Sequence, residues 1–347
     1  MIGLTAGWTE GDFMRIGLVG FSQGYYAVSY LRYLHQRKGI EIVAVCDLNA
    51  SPDYVWSCAF VDAAAFANEM DAPLMHSLEE VIRCRPDAVL LCCETYCHTR
   101  LTAELLAAGI HVFVSKPLCF SSRQADALAA ALPADAIVLC GQPLRYEIGI
   151  REAISRIRGG EIGQVYSVRI RLCHAAMIHQ AWEREEAYSG GPLGTYGIYL
   201  FDLARELGGV PVEVLYALGK NAATPEIEAA DTVSILGSGG GILFQLELLS
   251  AVNLQFPFIH VEAVGTKGVL ETRYDNAATL VRSTEGLKAG DFRTSDMTKG
   301  EMEHFLACLR REAMPECDVA CMRYVTRCIE AVKKSMASGG PERIDGG

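Results

Sequence analysis

A chain of 347 residues, half of them hydrophobic, is long enough to bury two cores without covalent staples. Its formal charge of −11, with no compensating lysine or arginine cluster, repels phosphate backbones and anionic lipid surfaces and argues against a nucleic-acid or membrane partner. The 13 cysteines are spread along the chain, several of them inside apolar runs such as residues 89–93, so they read as reduced, buried thiols rather than the frame of a small secreted domain.

No apolar run reaches the roughly eighteen residues that a membrane helix needs. Residues 1–13 read as an extension ahead of the first strand. They carry Glu10 and Asp12 and have neither a basic leader nor a long apolar core, unlike a signal peptide, and a cytoplasmic protein is expected. Residues 15–20 form an apolar run ending in glycine, and Ala27, Leu31 and Leu34 then share one helical face. Residues 41–46 are almost continuously apolar, the pattern of a parallel strand covered on both faces, and Asp47 stands at their end. The pattern repeats at residues 87–93, followed by a helix with Leu101, Leu105 and Ala108 in phase. Gly109 stops that helix, and a strand at 111–114 runs into Ser115-Lys116-Pro117. A helix over 121–132 leads to a strand at 136–140. Strands alternating with helices predict a Rossmann-type α/β domain over 14–143 with a doubly wound parallel sheet. Such sheets bind ligands at the carboxyl ends of their strands, where Gly20, Asp47, Cys93 and Lys116 all fall.

After Arg145 the texture changes. A helix with Ile150, Ala153, Ile154 and Ile157 ends at Gly159-Gly160, and period-two alternation at 165–171 and 231–236 predicts a C-terminal α+β domain over 144–340 with a large, mostly antiparallel sheet. Gly237 to Gly241 joins two strands and opens no helix, so it reads as a hairpin turn and not a phosphate loop. A final helix over 317–336 puts Cys317, Cys321, Val325, Cys328 and Val332 on one face as core residues, and is a candidate to pack back on the N-terminal domain. One face of the antiparallel sheet has no obvious helical cover, which suggests a homodimer or homotetramer formed through it.

Gly20-Phe21-Ser22-Gln23-Gly24-Tyr25 follows a strand and opens a helix. In a dinucleotide turn the first glycine makes the tight bend, the second lets the backbone approach the pyrophosphate and the third allows close helix packing. Only Gly20 is in place; Ser22 and Tyr25 hold the other two positions and Gly24 is displaced by one. Context carries the nucleotide reading. The helix N-terminus offers amides and the positive end of its dipole to a phosphate, and Asp47 can accept both ribose hydroxyls. Asp47 is followed by Leu48, with no neighbouring arginine for a ribose phosphate, which favours NAD, with NADP as the alternative. Cys92, Cys93, Cys97 and His98 make a poor metal set, because adjacent residues of a strand point to opposite faces. His98 either sits near the cofactor or caps the following helix, while His174 and His179 lack the spacing of a helical zinc pair and read as ordinary polar residues.

Residues 87–90 with His98, the segment 108–117, Arg145-Tyr146, Gly160-Glu161-Ile162-Gly163, Trp182, Gly190-Gly191 and Gly265 together resemble the glucose-fructose oxidoreductase and inositol dehydrogenase (Gfo/Idh/MocA) family over about residues 14–340. The resemblance implies an NAD(P)-dependent dehydrogenase acting on a CH–OH group of a sugar, cyclitol or related polyol. It places the cofactor at Gly20, Phe21, Ser22, Gln23, Asp47, Cys93, Glu94, His98 and Lys116, the substrate at Arg145, Trp182 and Thr195, and catalysis at Lys116 and Tyr199.

The chain departs from the family pattern at several of these positions. Ser115-Lys116-Pro117 stands for Glu-Lys-Pro, Cys93-Glu94-Thr95 for Thr-Pro-Asn, and Thr195 and Tyr199 replace the aspartate and histidine of Asp-x-Gly-x-His-x-x-Asp. Tyrosine at that last position is similar to the sugar and dihydrodiol dehydrogenase branches. A phenol, with an ordinary pKa of about 10, can give its proton to a carbonyl as hydride arrives, and an ammonium such as Lys116 would stabilise phenolate in the reverse direction. Thr195 can still hydrogen-bond an alcohol. The alternative for Tyr199 is packing beside Tyr196, and Arg145 and Trp182 suit a structural role as well as a substrate contact. The departures also leave open a nucleotide- or ligand-binding regulator without turnover.

Overall fold

The computed structural model describes residues 13–49, 52–174, 180–250, 258–274, 279–283, 286–288 and 297–344. His179 and residues 1–12 of the expected extension lie outside the described residues. The chain divides into two compact units, Met1–Gln142 with Thr298–Met322, and Pro143–Met297 with Arg323–Gly347.

In the first unit, β1 (Met14–Val19), β2 (Ile40–Cys46), β3 (Leu74–Met75), β4 (Ala88–Leu91), β5 (His111–Val114) and β6 (Val138–Cys140) form one parallel sheet in the order β3-β2-β1-β4-β5-β6. This is the doubly wound order that the sequence predicts. Between the strands run α1 (Gly24–His35), α2 (Pro52–Ala59), α3 (Ala63–Glu69), α4 (Leu78–Arg83), α5 (His98–Ala107) and α6 (Ser122–Ala131). β4 and β6 are buried along their whole length, which is why they read as unbroken apolar runs. Caps set the helix starts: the Asp62, Ser77 and Ser121 side chains each accept the amide three residues on. α5 ends where Gly109 takes φ +78°, a left-handed position at which glycine carries no Cβ penalty.

The second unit contains α7 (Ile148–Arg158), β7 (Val165–His174), α8 (Glu186–Ser189), α9 (Ile198–Gly208), β8 (Val214–Lys220), β9 (Thr232–Gly239), β10 (Ile242–Ser250), β11 (Phe258–Gly265), β12 (Gly268–Tyr274), β13 (Thr279–Ser283) and β14 (Gly286–Lys288). Two helices follow, α10 (Met297–Leu309) and α11 (Val319–Ser338), and then β15 (Glu342–Arg343). After its first residue α10 belongs to the first unit, as does the start of α11. Nine strands form one sheet, β14-β13-β12-β11-β7-β10-β9-β8-β15, antiparallel except where β7 and β10 run side by side.

Alternation decides its two faces. Val168, Ile170 and Leu172 of β7 and Phe244, Leu246 and Leu248 of β10 are buried, and α9 packs on these strands. Arg169 and Arg171 point the other way, bonded across the ladder to Gln245 and Glu247. Leu218, Leu236 and Leu243 are also exposed, at 60, 61 and 62%. Gly240 and Gly241, both at positive φ, turn β9 into β10, so the glycine-rich run is the hairpin expected of it. α11 begins two residues later than the expected helix, and Cys317, Cys321, Val325, Cys328 and Val332 are all buried. Among the described residues no helix is long and apolar enough to cross a membrane.

Candidate functional site

The turn after β1 is built by close approach. Gly20 has φ +86°, and a Cβ there would lie 2.4 Å from Cys93 Cα, so the bend lies against the chain leaving β4. At Gly24 a Cβ would lie 2.2 Å from the Cys58 carbonyl oxygen at the end of α2. The close contact for which the dinucleotide pattern reserves its last glycine is therefore made one residue early and against a helix, while Tyr25 is 72% exposed and obstructs nothing there. The displaced glycine is a repacked turn rather than a lost one.

The N-terminus of α1 fits a phosphate. Gln23 makes no side-chain cap, and the first turn holds no acidic residue to compete with an anion. Ser22 Oγ donates to the Cys92 carbonyl at 3.2 Å, and Gln23 Nε2 donates to the Lys116 carbonyl at 3.1 Å. The Phe21 ring is 1% exposed and meets Phe66 edge-on at 6.0 Å, so what Phe21 offers to a ligand is its backbone. Cys93 is likewise fully buried, and burial pushes its thiol up, as it pushes the Cys92 thiol to about 12.

Asp47 directly follows β2 and is 4% exposed, with Oδ1 accepting the Asn49 amide at 3.0 Å in an Asx-type turn. Glu94 is 5% exposed and accepts from Asn49 Nδ2 at 2.8 Å and from the Tyr54 hydroxyl at 2.7 Å. Sequence reasoning did not single out Asn49 or Tyr54. A polar residue two places beyond the strand-end aspartate was the available signal for Asn49; nothing local marked Tyr54.

Lys116 is 6% exposed at the end of β5. Side chains hold three consecutive carbonyls there: Gln23 binds Lys116 O, His98 Nδ1 lies 2.6 Å from Pro117 O, and Thr99 Oγ1 donates to Leu118 O at 3.0 Å. His98 opens α5 and is fully buried, and its Nε2 faces the Cys93 carbonyl at 3.1 Å. Burial pushes the His98 pKa down, so the neutral ring is assigned its proton on Nδ1, at the shorter contact. His98 opens α5 without capping it, and its two ring nitrogens tie the end of β4 to the Lys116 turn. Gln23 and Thr99 share that work; Gln23 belongs to the turn that the sequence singled out, whereas no motif pointed to Thr99.

In the second unit Thr195 and Tyr199 lie on a π-helical turn, Leu193–Gly197, and the helix that continues it. Such turns are uncommon and recur at functional positions. Thr195 Oγ1 donates to the Ser189 carbonyl at 3.3 Å, Tyr196 stacks on His174 with ring centroids 4.2 Å apart, and Tyr199 is 5% exposed. Arg145 belongs to a different arrangement. It is 4% exposed, with Nε and Nη2 on the Asp202 carboxylate at 2.6 and 2.5 Å, and Glu206 lies 3.3 Å from Nη2. Removing one partner of such a buried pair leaves an uncompensated charge, which gives Arg145 a structural role sufficient to explain its presence. Trp182, half-buried in a short 3-10 turn at Ala181–Arg184, lies well before the π turn in sequence.

Residues 14–139 match the family described as an oxidoreductase family with an NAD-binding Rossmann fold, and residues 150–271 match the C-terminal domain of the same Gfo/Idh/MocA family. The chain is 30% identical over 184 residues to a protein of Amycolatopsis mediterranei provisionally named as the oxidoreductase subunit of a UDP-kanosamine synthase, covering 52% of this chain and 48% of that one. It is 30% identical over 148 residues to myo-inositol 2-dehydrogenase of Thermotoga maritima, covering 42 and 43%. The matched stretch thus spans about half the length of these two relatives. The crystal structure of an oxidoreductase from Agrobacterium radiobacter, in complex with NAD+, L-tartaric acid and magnesium, has the same fold, with a TM-score of 0.79 at 18% identity over 95% of this chain and 98% of that one. With both of its domains matched, the chain belongs to the Gfo/Idh/MocA family of oxidoreductases and carries that family's NAD-binding Rossmann domain.

Proposed function

We propose that this oxidoreductase interconverts a secondary alcohol and a ketone on a sugar, cyclitol or related polyol, with Lys116 and Tyr199 attending the reacting oxygen. The observation that carries the reading is the treatment of Lys116: a cation 6% exposed at a strand end, with the carbonyls of its turn held by Gln23, His98 and Thr99. A turn fixed by three side chains fits a group that must be held in place. The names of the kanosamine and inositol relatives support a polyhydroxylated substrate.

NAD, when bound, would supply or take the hydride. The Gly20 turn and the uncapped start of α1 would hold its pyrophosphate, and Asp47 its adenosine ribose. Lys116 would stabilise negative charge developing on the substrate oxygen, and Tyr199 would give that oxygen its proton in reduction and take it back in oxidation. Thr195 would hold a neighbouring hydroxyl. The exposed face of the nine-stranded sheet, with Leu218, Leu236 and Leu243 around a ladder of opposite charges, would meet a second copy of the chain.

The test is direct. NAD+ or NADH should raise the thermal midpoint of the full chain, since a ligand that binds only the folded state stabilises it. A polyol and cyclitol panel should then give at least one substrate by the absorbance of the reduced nicotinamide. Nucleotide binding with no turnover on any member of the panel would overturn the proposed reaction.

A further inference from the structure

The strand order places the carboxyl ends of β2 and β4 on either side of β1, so the segments that leave them flank the Gly20 turn. Each segment supplies a buried carboxylate, Asp47 from β2 and Glu94 from β4. Asn49 joins them, its backbone amide on Asp47 Oδ1 and its side-chain amide on Glu94 Oε1. The Tyr54 hydroxyl is the second donor to Glu94 Oε1. Asp47 Oδ2 and Glu94 Oε2 receive no hydrogen bond from the described residues, and neither carboxylate forms an ion pair among them. Two buried carboxylates therefore each keep an oxygen uncommitted. A ribose diol brings donors that such oxygens accept, whereas a ribose phosphate brings acceptors and close to two negative charges.

We infer that Glu94 is a second carboxylate of the adenosine-ribose subsite and sets the preference of this chain for NAD over NADP. The inference rests on the Rossmann reading of the Gly20 turn and deepens it. Asp47 alone is the usual acceptor at the end of the second strand. Glu94 is this chain's own addition, since it stands where the motif it resembles has proline. Asn49 holds the two carboxylates in one network, so a phosphate at this ribose would face both charges at once.

Dissociation constants for NAD+ and NADP+ are measured by calorimetry on the full chain, as wild type, Glu94→Gln and Tyr54→Phe. Glutamine keeps an oxygen for Asn49 and Tyr54 and removes only the charge; phenylalanine removes one hydrogen bond and keeps the charge. Glu94→Gln should tighten NADP+ about tenfold or more, worth about 1.4 kcal/mol per tenfold, and change NAD+ by less than about threefold. Tyr54→Phe should leave the ratio of the two constants within about threefold of wild type, and added salt should narrow the wild-type ratio. If Glu94→Gln weakens or spares both nucleotides alike, or if Tyr54→Phe shifts the ratio as much as Glu94→Gln does, the charge of Glu94 is not the discriminator and the inference falls while NAD binding stands. If the wild type binds neither nucleotide, the reading of the Gly20 turn falls and takes this inference with it.

Discussion

Glu301 should make this protein lose stability as the solution is made alkaline, and replacing it with glutamine should remove that loss. It lies on α10, 1% exposed, accepting from the Tyr30 hydroxyl and, at 2.5 Å, from the Gln142 amide. Burial raises its pKa from 4.5 to about 8, against the lowering effect of those two hydrogen bonds. Between these values the folded chain keeps the proton and the unfolded chain does not. The contribution is therefore complete below about pH 4.5 and is lost as pH rises through 8. At about 1.4 kcal/mol per pH unit across the window, and flattening near the upper end, the loss from pH 6 to pH 8 comes to roughly 2 kcal/mol.

The assay is urea unfolding of wild type and Glu301→Gln at pH 6, 7 and 8, followed by far-UV circular dichroism. Glutamine keeps an acceptor for the Gln142 amide and cannot ionise, so its deficit against wild type should shrink, or reverse, by roughly 2 kcal/mol between pH 6 and 8. Parallel stability profiles for the two proteins would refute the claim that Glu301 is held protonated in the folded chain.

Tyr199→Phe and Lys116→Ala should each lower turnover about a hundredfold or more, in the range of a lost acid–base group, while NAD+ affinity changes by less than about threefold; near-normal turnover in both would reject the pair. On the acid side, burial and the nearby Arg311 cation hold His111 down to about 4, with Nδ1 accepting the Ile137 amide. Its neutral form therefore contributes stability that is complete above about pH 6.5 and lost as pH falls toward 4. Partial exposure discounts this to about 1–2 kcal/mol, and His111→Gln should flatten the urea profile there by that amount. If the proposed association of copies through this face holds, Leu236→Arg with Leu243→Asp should give a lower mass than wild type by light scattering without lowering the thermal midpoint, because both side chains are about three-fifths exposed; an unchanged mass would remove this face as the interface.

The parallel sheet was legible because both faces of its strands are covered. Runs such as Ala88–Leu91 carry no polar residue to confuse them, and three of the strands lead into Gly20, Asp47 and Lys116, which loops must present. The antiparallel sheet was legible from Arg169 and Arg171 alternating with Val168 and Ile170. The elements between Asp47 and Asp87 were not: α3 and α4 run to seven and six residues and β3 to two, too short for a period to show. Site residues divided in the same way. Lys116 and Asp47 announce themselves as charges at strand ends. The bonds from Gln23 and Thr99 to the Lys116 turn join residues far apart in sequence through backbone carbonyls, and a carbonyl has no letter in a sequence. That the Phe21 ring belongs to the core was equally illegible, because its partner Phe66 lies far along the chain.

One departure from the family pattern has a structural counterpart that ties the Lys116 turn to α10. Ser115 stands beside Lys116 where the resemblance has glutamate, and it is 2% exposed. A Cβ at Gly141 would lie 3.5 Å from both Glu301 Oε1 and the Val114 carbonyl oxygen, one residue before Ser115, whose buried Oγ has no hydrogen-bond partner among the described residues. The buried carboxyl absent at 115 is thus present in the same neighbourhood, delivered from a different helix and anchored by Tyr30 and Gln142. Two buried carboxyl groups there would compete, since each raises the cost of ionising the other and only one set of donors is in place. Ser115→Glu should therefore destabilise wild type more than it destabilises the Glu301→Gln protein, with a coupling energy of about 1 kcal/mol or more in a double-mutant cycle at pH 8. The coupling should weaken as pH falls, because protonation removes the charges that compete. Additive effects at pH 8 would mean that Ser115 and Glu301 occupy independent sites and that the serine beside Lys116 was not accommodated by a carboxyl moved to α10.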